Sequence, residues 1–145
     1  MKPERQKEVD RQLQMKNNCC QVVLAAFCED LGLSQETMLA LTGGFGGGMS
    51  LGEKCGAVTA MIMAAGLAFG SFDGADLQKK NELKANVKKL NSRFEEAFGS
   101  SQCRTLLKNI GENKYDLSLT KEQGKRPCAI FMEKACEILE EELGL

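Results

Sequence analysis

The residues from Ala57 to Phe69, AVTAMIMAAGLAF, carry no charged side chain and are apolar all round a helical wheel. A segment of that kind offers no face to water, so other elements must surround it. It is too short to cross a bilayer, which takes about 20 apolar residues, and Thr59 and Gly66 interrupt it. The rest of a 145-residue chain must therefore cover it. Glu53 stands three residues after Ser50, the spacing of a capping box, and this predicts a central buried helix over Leu51 to Phe69. Gly56, Ala60 and Ala64 recur four apart, so one face admits close approach by a second helix.

The flanking sequence reads as helices suited to that task. In NNCCQVVLAAFCEDLGL, Asn18 and Gln21 have capping-box spacing, Cys20, Val23, Leu24, Phe27, Cys28 and Leu31 form an apolar stripe, and Gly32 ends the helix. Ser34 caps a short helix, SQETMLALTG. DGADLQKKNELKANVKKLNSRFEEAFG is a long amphipathic helix with its stripe at Leu83, Val87, Leu90, Phe94 and Phe98, ended by Gly99. Ser100 or Ser101 caps QCRTLLKNI, residues 111–126 read as a loop, and Pro127 suits the first position of a last helix that reaches about Leu143. Residues 1–16 are mostly polar, with Val9 and Leu13 as anchors, and read as a loosely packed N-terminal helix or arm. Two prolines, one tyrosine and few β-branched runs leave no strand signal. The expectation is a single all-α domain over residues 1–145, a compact helical bundle.

A net charge of -1 supplies no basic field for nucleic acid or an anionic membrane. The opening MKPERQKEVDRQ lacks the apolar core of a secretory leader. The expectation is a cytoplasmic protein without nucleic-acid or membrane partners. A symmetric homodimer is the commonest assembly for such a chain.

Seven cysteines and no histidine narrow the chemistry. An odd count in a cytoplasmic setting argues against permanent disulfides. Without imidazole there is no Cys-His pair, no Ser-His-Asp triad and no histidine-bound zinc. Four cysteines share a position type. Cys20 follows Asn18 by two residues, Cys55 follows Ser50 by five, Cys103 follows Ser101 by two, and Cys128 follows Pro127 by one. Each lies in or just past the first turn of an expected helix, where unpaired N–H groups favour a thiolate. Cys28 and Cys136 fall mid-helix and read as core packing. Cys19 reads as a backup thiol or merely a small residue. No C-x-x-C occurs, but four separated cysteines can meet in space around zinc or an iron–sulfur cluster.

Seven of the 15 glycines fall between Gly43 and Gly56, directly before and after Cys55. Glycine admits positive φ and close backbone approach. Gly46, Gly47 and Gly48 are therefore expected to bring N–H groups toward a group held at Cys55, whose own helix start lies further off. A phosphate-binding P-loop is excluded, since Gly52 is followed by Glu53, and a dinucleotide fingerprint would need a preceding strand. Met49, Met61 and Met63 read as core filling.

These residues resemble a family of small bacterial proteins described as redox-active and named after the motif C_GCAxxG_C_C. The resemblance is carried by NNCCQVVLAAF (Cys20), GGFGGGMSLGEKCGAVTA (Cys55, Gly56, Ala57), FGSSQCRTLL (Cys103) and RPCAIFMEKACEILEE (Cys128), and spans about residues 18–143. One departure is Ala60, which stands where C-G-A-x-x-G has its last glycine. The resemblance implies cysteine redox chemistry and leaves the substrate and the electron donor or acceptor open. The leading expectation is a cytosolic redox protein with Cys55 as principal thiolate and Cys20, Cys103 and Cys128 as resolving thiols. The alternatives are a non-catalytic zinc or iron–sulfur protein with those four cysteines as ligands, and a structural bundle with inert cysteines.

Overall fold

The computed structural model describes residues 1–145. The chain is all-α, as the periodicity requires, with nine helices: α1 (Pro3–Gln14), α2 (Cys19–Ala25), α3 (Cys28–Leu31), α4 (Gln35–Leu41), α5 (Gly56–Phe69), α6 (Leu77–Phe98), α7 (Cys103–Gly111), α8 (Ser118–Glu122) and α9 (Ala129–Leu143). Helix α5 is the centre. Its residues from Gly56 to Met61, with Ala64 and Ala65, are buried, and α2, α6 and α9 pack around it. No helix is long and apolar enough to cross a membrane.

The cap signals that hold are those with a side chain in place. Asn18 and Gln21 form the reciprocal capping box of α2, and Ser34 caps α4. Gly32 and Gly99 take the left-handed conformation after α3 and α6. Along α6 only Leu90 and Phe94 are fully buried, and Leu83, Val87 and Phe98 are half-covered.

Four boundaries differ from the sequence reading. The central helix begins at Gly56, not Leu51. Ser50 does not cap it, because Gly47, Gly48, Met49 and Ser50 have φ between 61° and 63° and make a left-handed turn. The helix expected from Asn18 to Leu31 is split at Phe27 (φ -120°, ψ 2°). There the Arg5 guanidinium donates to the Ala26 carbonyl and lies 3.8 Å from the Phe27 ring centre. The last helix starts at Ala129, past Pro127, and residues 118–122 of the expected loop are the short α8.

The same Arg5 determines how α1 packs. It is 7% exposed and bonds Asp30 at 2.8 Å and Glu140 at 3.1 Å, linking α1 to α3 and α9. Val9 and Gln12 are buried on the same helix. Removing one partner from a buried ion pair leaves the others uncompensated. Arg5→Leu is expected to lower stability by about 3 kcal/mol, measured by urea unfolding. A change under about 1 kcal/mol, the worth of a surface pair, would show that the pair contributes little.

Candidate thiol site

The glycine loop and the segment after α6 run together before either becomes a helix. Lys54 and Gln102 form an isolated antiparallel bridge. The Cys55 amide donates to Ser101 O at 2.8 Å, and the Cys103 amide donates to Glu53 O at 2.6 Å. Lys54 Nζ donates to Ser101 Oγ at 2.7 Å, which ties the bridge from its other side. Cys55 is thereby fixed as the N-cap residue of α5, and Cys103 as the first residue of α7. Gln102, not Ser100 or Ser101, is the N-cap of α7.

Three glycines act by being small. A Cβ on Gly56 would lie 2.9 Å from the Cys20 amide nitrogen and 3.0 Å from Cys19 Cβ. A Cβ on Gly48 would lie 2.5 Å from the Glu53 nitrogen and 2.7 Å from Cys103 Cβ. Gly46 meets Asn18 in the same way, with its would-be Cβ 2.5 Å from Asn18 Cβ. The loop thus presses its backbone on the starts of α2 and α7. Gly47 has only its positive φ to account for it. The close approach in C-G-A-x-x-G falls on Gly56, and Ala60 is fully buried in α5 without a glycine there.

Four cysteines line one cavity of about 20 Å³: Cys19, Cys55, Cys103 and Cys128, with Gly47, Gly48, Gly56, Leu106, Leu107 and Phe131. They come from the starts of α2, α5, α7 and α9. Three of them were expected from the sequence. The fourth is Cys19, and Cys20 does not line the cavity. Cys20 is fully buried, facing Thr59 of α5. Cys28 and Cys136 are buried elsewhere in the core. All seven cysteines are free. Phe131, on the cavity wall, sits edge-on to Phe98 and Tyr115 at 4.8 and 5.7 Å, and the Tyr115 hydroxyl donates to Phe98 O at 2.7 Å. That aromatic cluster holds the first turn of α9, and with it Cys128, against α6.

The thiols differ in acidity for identifiable reasons. A hydrogen bond with Cys128 and the nearby Arg126 guanidinium lower Cys19 to about 7, against the burial that opposes ionisation. Arg126 is held by its own bond to Asn17 O at 2.6 Å. Burial pushes Cys55 up to about 12, outweighing the Ala57 and Val58 amides that favour its thiolate. The expectation that Cys55 is the acidic thiol is therefore corrected: it is only 3% exposed, and desolvation wins. Burial also raises Cys20, to about 11, and Cys103. Cys128 is raised by its bond with Cys19, since it keeps the shared proton. Of the four thiols that line the cavity, Cys19 is therefore the one whose acidity is raised, while Cys55, Cys103 and Cys128 are held toward the protonated form.

No three cysteine or carboxylate side chains stand where one metal ion could bind them. A cavity of about 20 Å³ takes a single atom and not an iron–sulfur cluster. The zinc and cluster sites expected from Cys20, Cys55, Cys103 and Cys128 do not fit this arrangement. A groove of about 1,400 Å³ between α1, the end of α6, α8 and α9 has charges of both signs and no cysteine, and it meets the surroundings of the thiols at Arg126, Phe98 and Tyr115.

The chain belongs to the family described as "Putative redox-active protein (C_GCAxxG_C_C)", whose model matches residues 17–142. No curated protein and no solved structure matches it.

Two outcomes follow. Gly48→Ala places a side chain at φ +63° against Glu53 and Cys103. It is expected to cost about 2 kcal/mol or more in thermal unfolding, and a neutral effect would mean the turn relaxes freely. Stability should also depend on pH. Cys19 ionises near 7 when folded and near 9 when unfolded, so its contribution is full above 9 and is lost as pH falls through 7. The raised Cys20 and Cys55 work the other way only above 9, where the unfolded chain ionises first. Unfolding of the reduced protein should therefore show stability rising from pH 7 to 9 and falling beyond. The rise should vanish in Cys19→Ser.

Proposed function

We propose that the protein is a cytosolic thiol redox protein in which Cys19 is the attacking thiolate and Cys128 the resolving thiol. Cys55 and Cys103 complete the site as neutral thiols. The observation that carries this reading is the shared cavity: Cys19 and Cys128 line it together from the starts of α2 and α9, and the Cys19 thiol is lowered to about 7 by Cys128 and Arg126. A nucleophile whose pKa is near ambient pH attacks disulfides best. The Cys19 thiolate bonds to one sulfur of a substrate disulfide, whose S–S bond breaks and releases one thiolate. Cys128 then bonds to Cys19 Sγ, and the second substrate sulfur leaves with the Cys128 proton. Two electrons pass from the cysteine pair to the disulfide, and a dithiol donor must restore the pair. Family membership supports the class of chemistry.

The test is iodoacetamide alkylation across pH, read by peptide mass. Cys19 should react with a midpoint near 7, and Cys128→Ala should move that midpoint toward the ordinary thiol value near 9. Cys128→Ser should accumulate a mixed disulfide with a small disulfide substrate, whereas Cys28→Ala should exchange as the unaltered protein does. A Cys19 midpoint at or above the free-thiol value would overturn the assignment.

A further inference from the structure

A dithiol exchange uses two cysteines, yet four line the cavity. Building on the redox reading above, we propose that the cavity receives a single sulfane sulfur atom, delivered by a persulfide or polysulfide, and that the Cys19–Cys128 pair reduces it to sulfide. The size of the cavity is the first argument. About 20 Å³ admits one atom of roughly water size. The wall is the second. A water molecule in such a space needs two to four polar partners, but the side chains here are four sulfurs, Leu106, Leu107 and Phe131. Thiols are weak donors and weak acceptors. A polarisable, uncharged or singly charged sulfur suits these walls better than water or a peroxide oxygen, whose departing hydroxide would call for strong donors.

The fourfold arrangement then has a use. Cys19 attacks the outer sulfur of R–S–SH. A Cys19 S–S bond forms, the donor S–S bond breaks, and R–S⁻ leaves, giving Cys19–S–SH. The added sulfur lies in the cavity, where the Cys55 and Cys103 thiols contact it. Cys128 next bonds to Cys19 Sγ and the outer sulfur departs as H₂S, carrying its own proton and that of Cys128. The two cysteines lose two electrons and the sulfane sulfur gains them. Gly47, Gly48 and Gly56 form part of the cavity wall, and the backbone there leaves no space for a side chain on Gly48 or Gly56.

The experiment uses the reduced full-length protein with glutathione persulfide in one arm and sodium tetrasulfide in the other. The unaltered protein should release sulfide and end with a Cys19–Cys128 disulfide. Cys128→Ser should hold one added sulfur atom on Cys19 by intact mass and peptide mapping. Uptake in both arms identifies sulfane sulfur as such, and uptake in the first arm alone identifies an organic persulfide donor. Cys103→Met fills the cavity and should slow uptake by about tenfold or more. Leu107→Phe, at a half-exposed position on the same wall, gives the same readout if the first variant does not fold. Unchanged uptake in a folded cavity variant, or no uptake in either arm, overturns the proposal. A protein that exchanges with a small disulfide but takes up no sulfur loses this inference and keeps the redox reading. One that does neither loses both.

Discussion

The contact on which the site depends is that between the first residue of α5 and the first turn of α2. Gly56 lies so close to Cys19 and Cys20 that no side chain fits between them. This sets where α5 enters the core, and α5 is the element that the other helices cover. The bridge from Lys54 to Gln102 then brings α7 to the same end, and the Phe98–Tyr115–Phe131 cluster brings α9. Four helix starts meet because one backbone contact was made small enough to permit it.

Their meeting explains which cysteine is acidic. Helix starts favour negative charge, but that help amounts to about 0.3–1 kcal/mol at the surface and up to about 2 when partly buried. Desolvation of a nearly buried thiolate is larger, so Cys55 at its N-cap remains neutral despite two amides directed at it. Cys19 differs in having a thiol donor and a guanidinium beside it. Once it ionises, its charge opposes ionisation of Cys55, Cys103 and Cys128. Four neighbouring cysteines therefore differ in acidity, with Cys19 lowered and the other three raised.

The helical class, the central place of α5 and three of the four cavity cysteines were legible in the sequence, because each follows from local pattern: an apolar run, a stripe, a cysteine near a cap. The choice between Cys19 and Cys20 was not. Adjacent helical residues point about 100° apart, so one of the two faces the core and the other the cavity; Cys20 lies on the apolar stripe and is buried, but proximity to a cap is shared by both and does not separate them. The S-x-x-E spacing at Ser50 misled for a different reason. A capping box describes a residue with extended backbone, and nothing local announces that Met49 and Ser50 are left-handed. The break at Phe27 was equally hidden, since it coincides with a long-range contact from Arg5, 21 residues before Ala26.

That turn is the one place where two successive non-glycine residues, Met49 and Ser50, are left-handed. Gly47 and Gly48 adopt positive φ freely, but Met49 and Ser50 each sacrifice about 1–2 kcal/mol. Against a total stability of about 5–15 kcal/mol this is a large local deficit. It persists because the residues on either side are held by contacts a relaxed loop would lose. Glu53 N donates to Gly48 O at 3.0 Å across the turn, and Glu53 O accepts from Cys103 at once beyond it. Arg104 bonds Leu51 O at 3.2 Å from outside. Straightening the turn would move Glu53, and Glu53 positions Cys103. The strain is thus retained at the point where the loop converts a change in chain direction into the placement of a thiol.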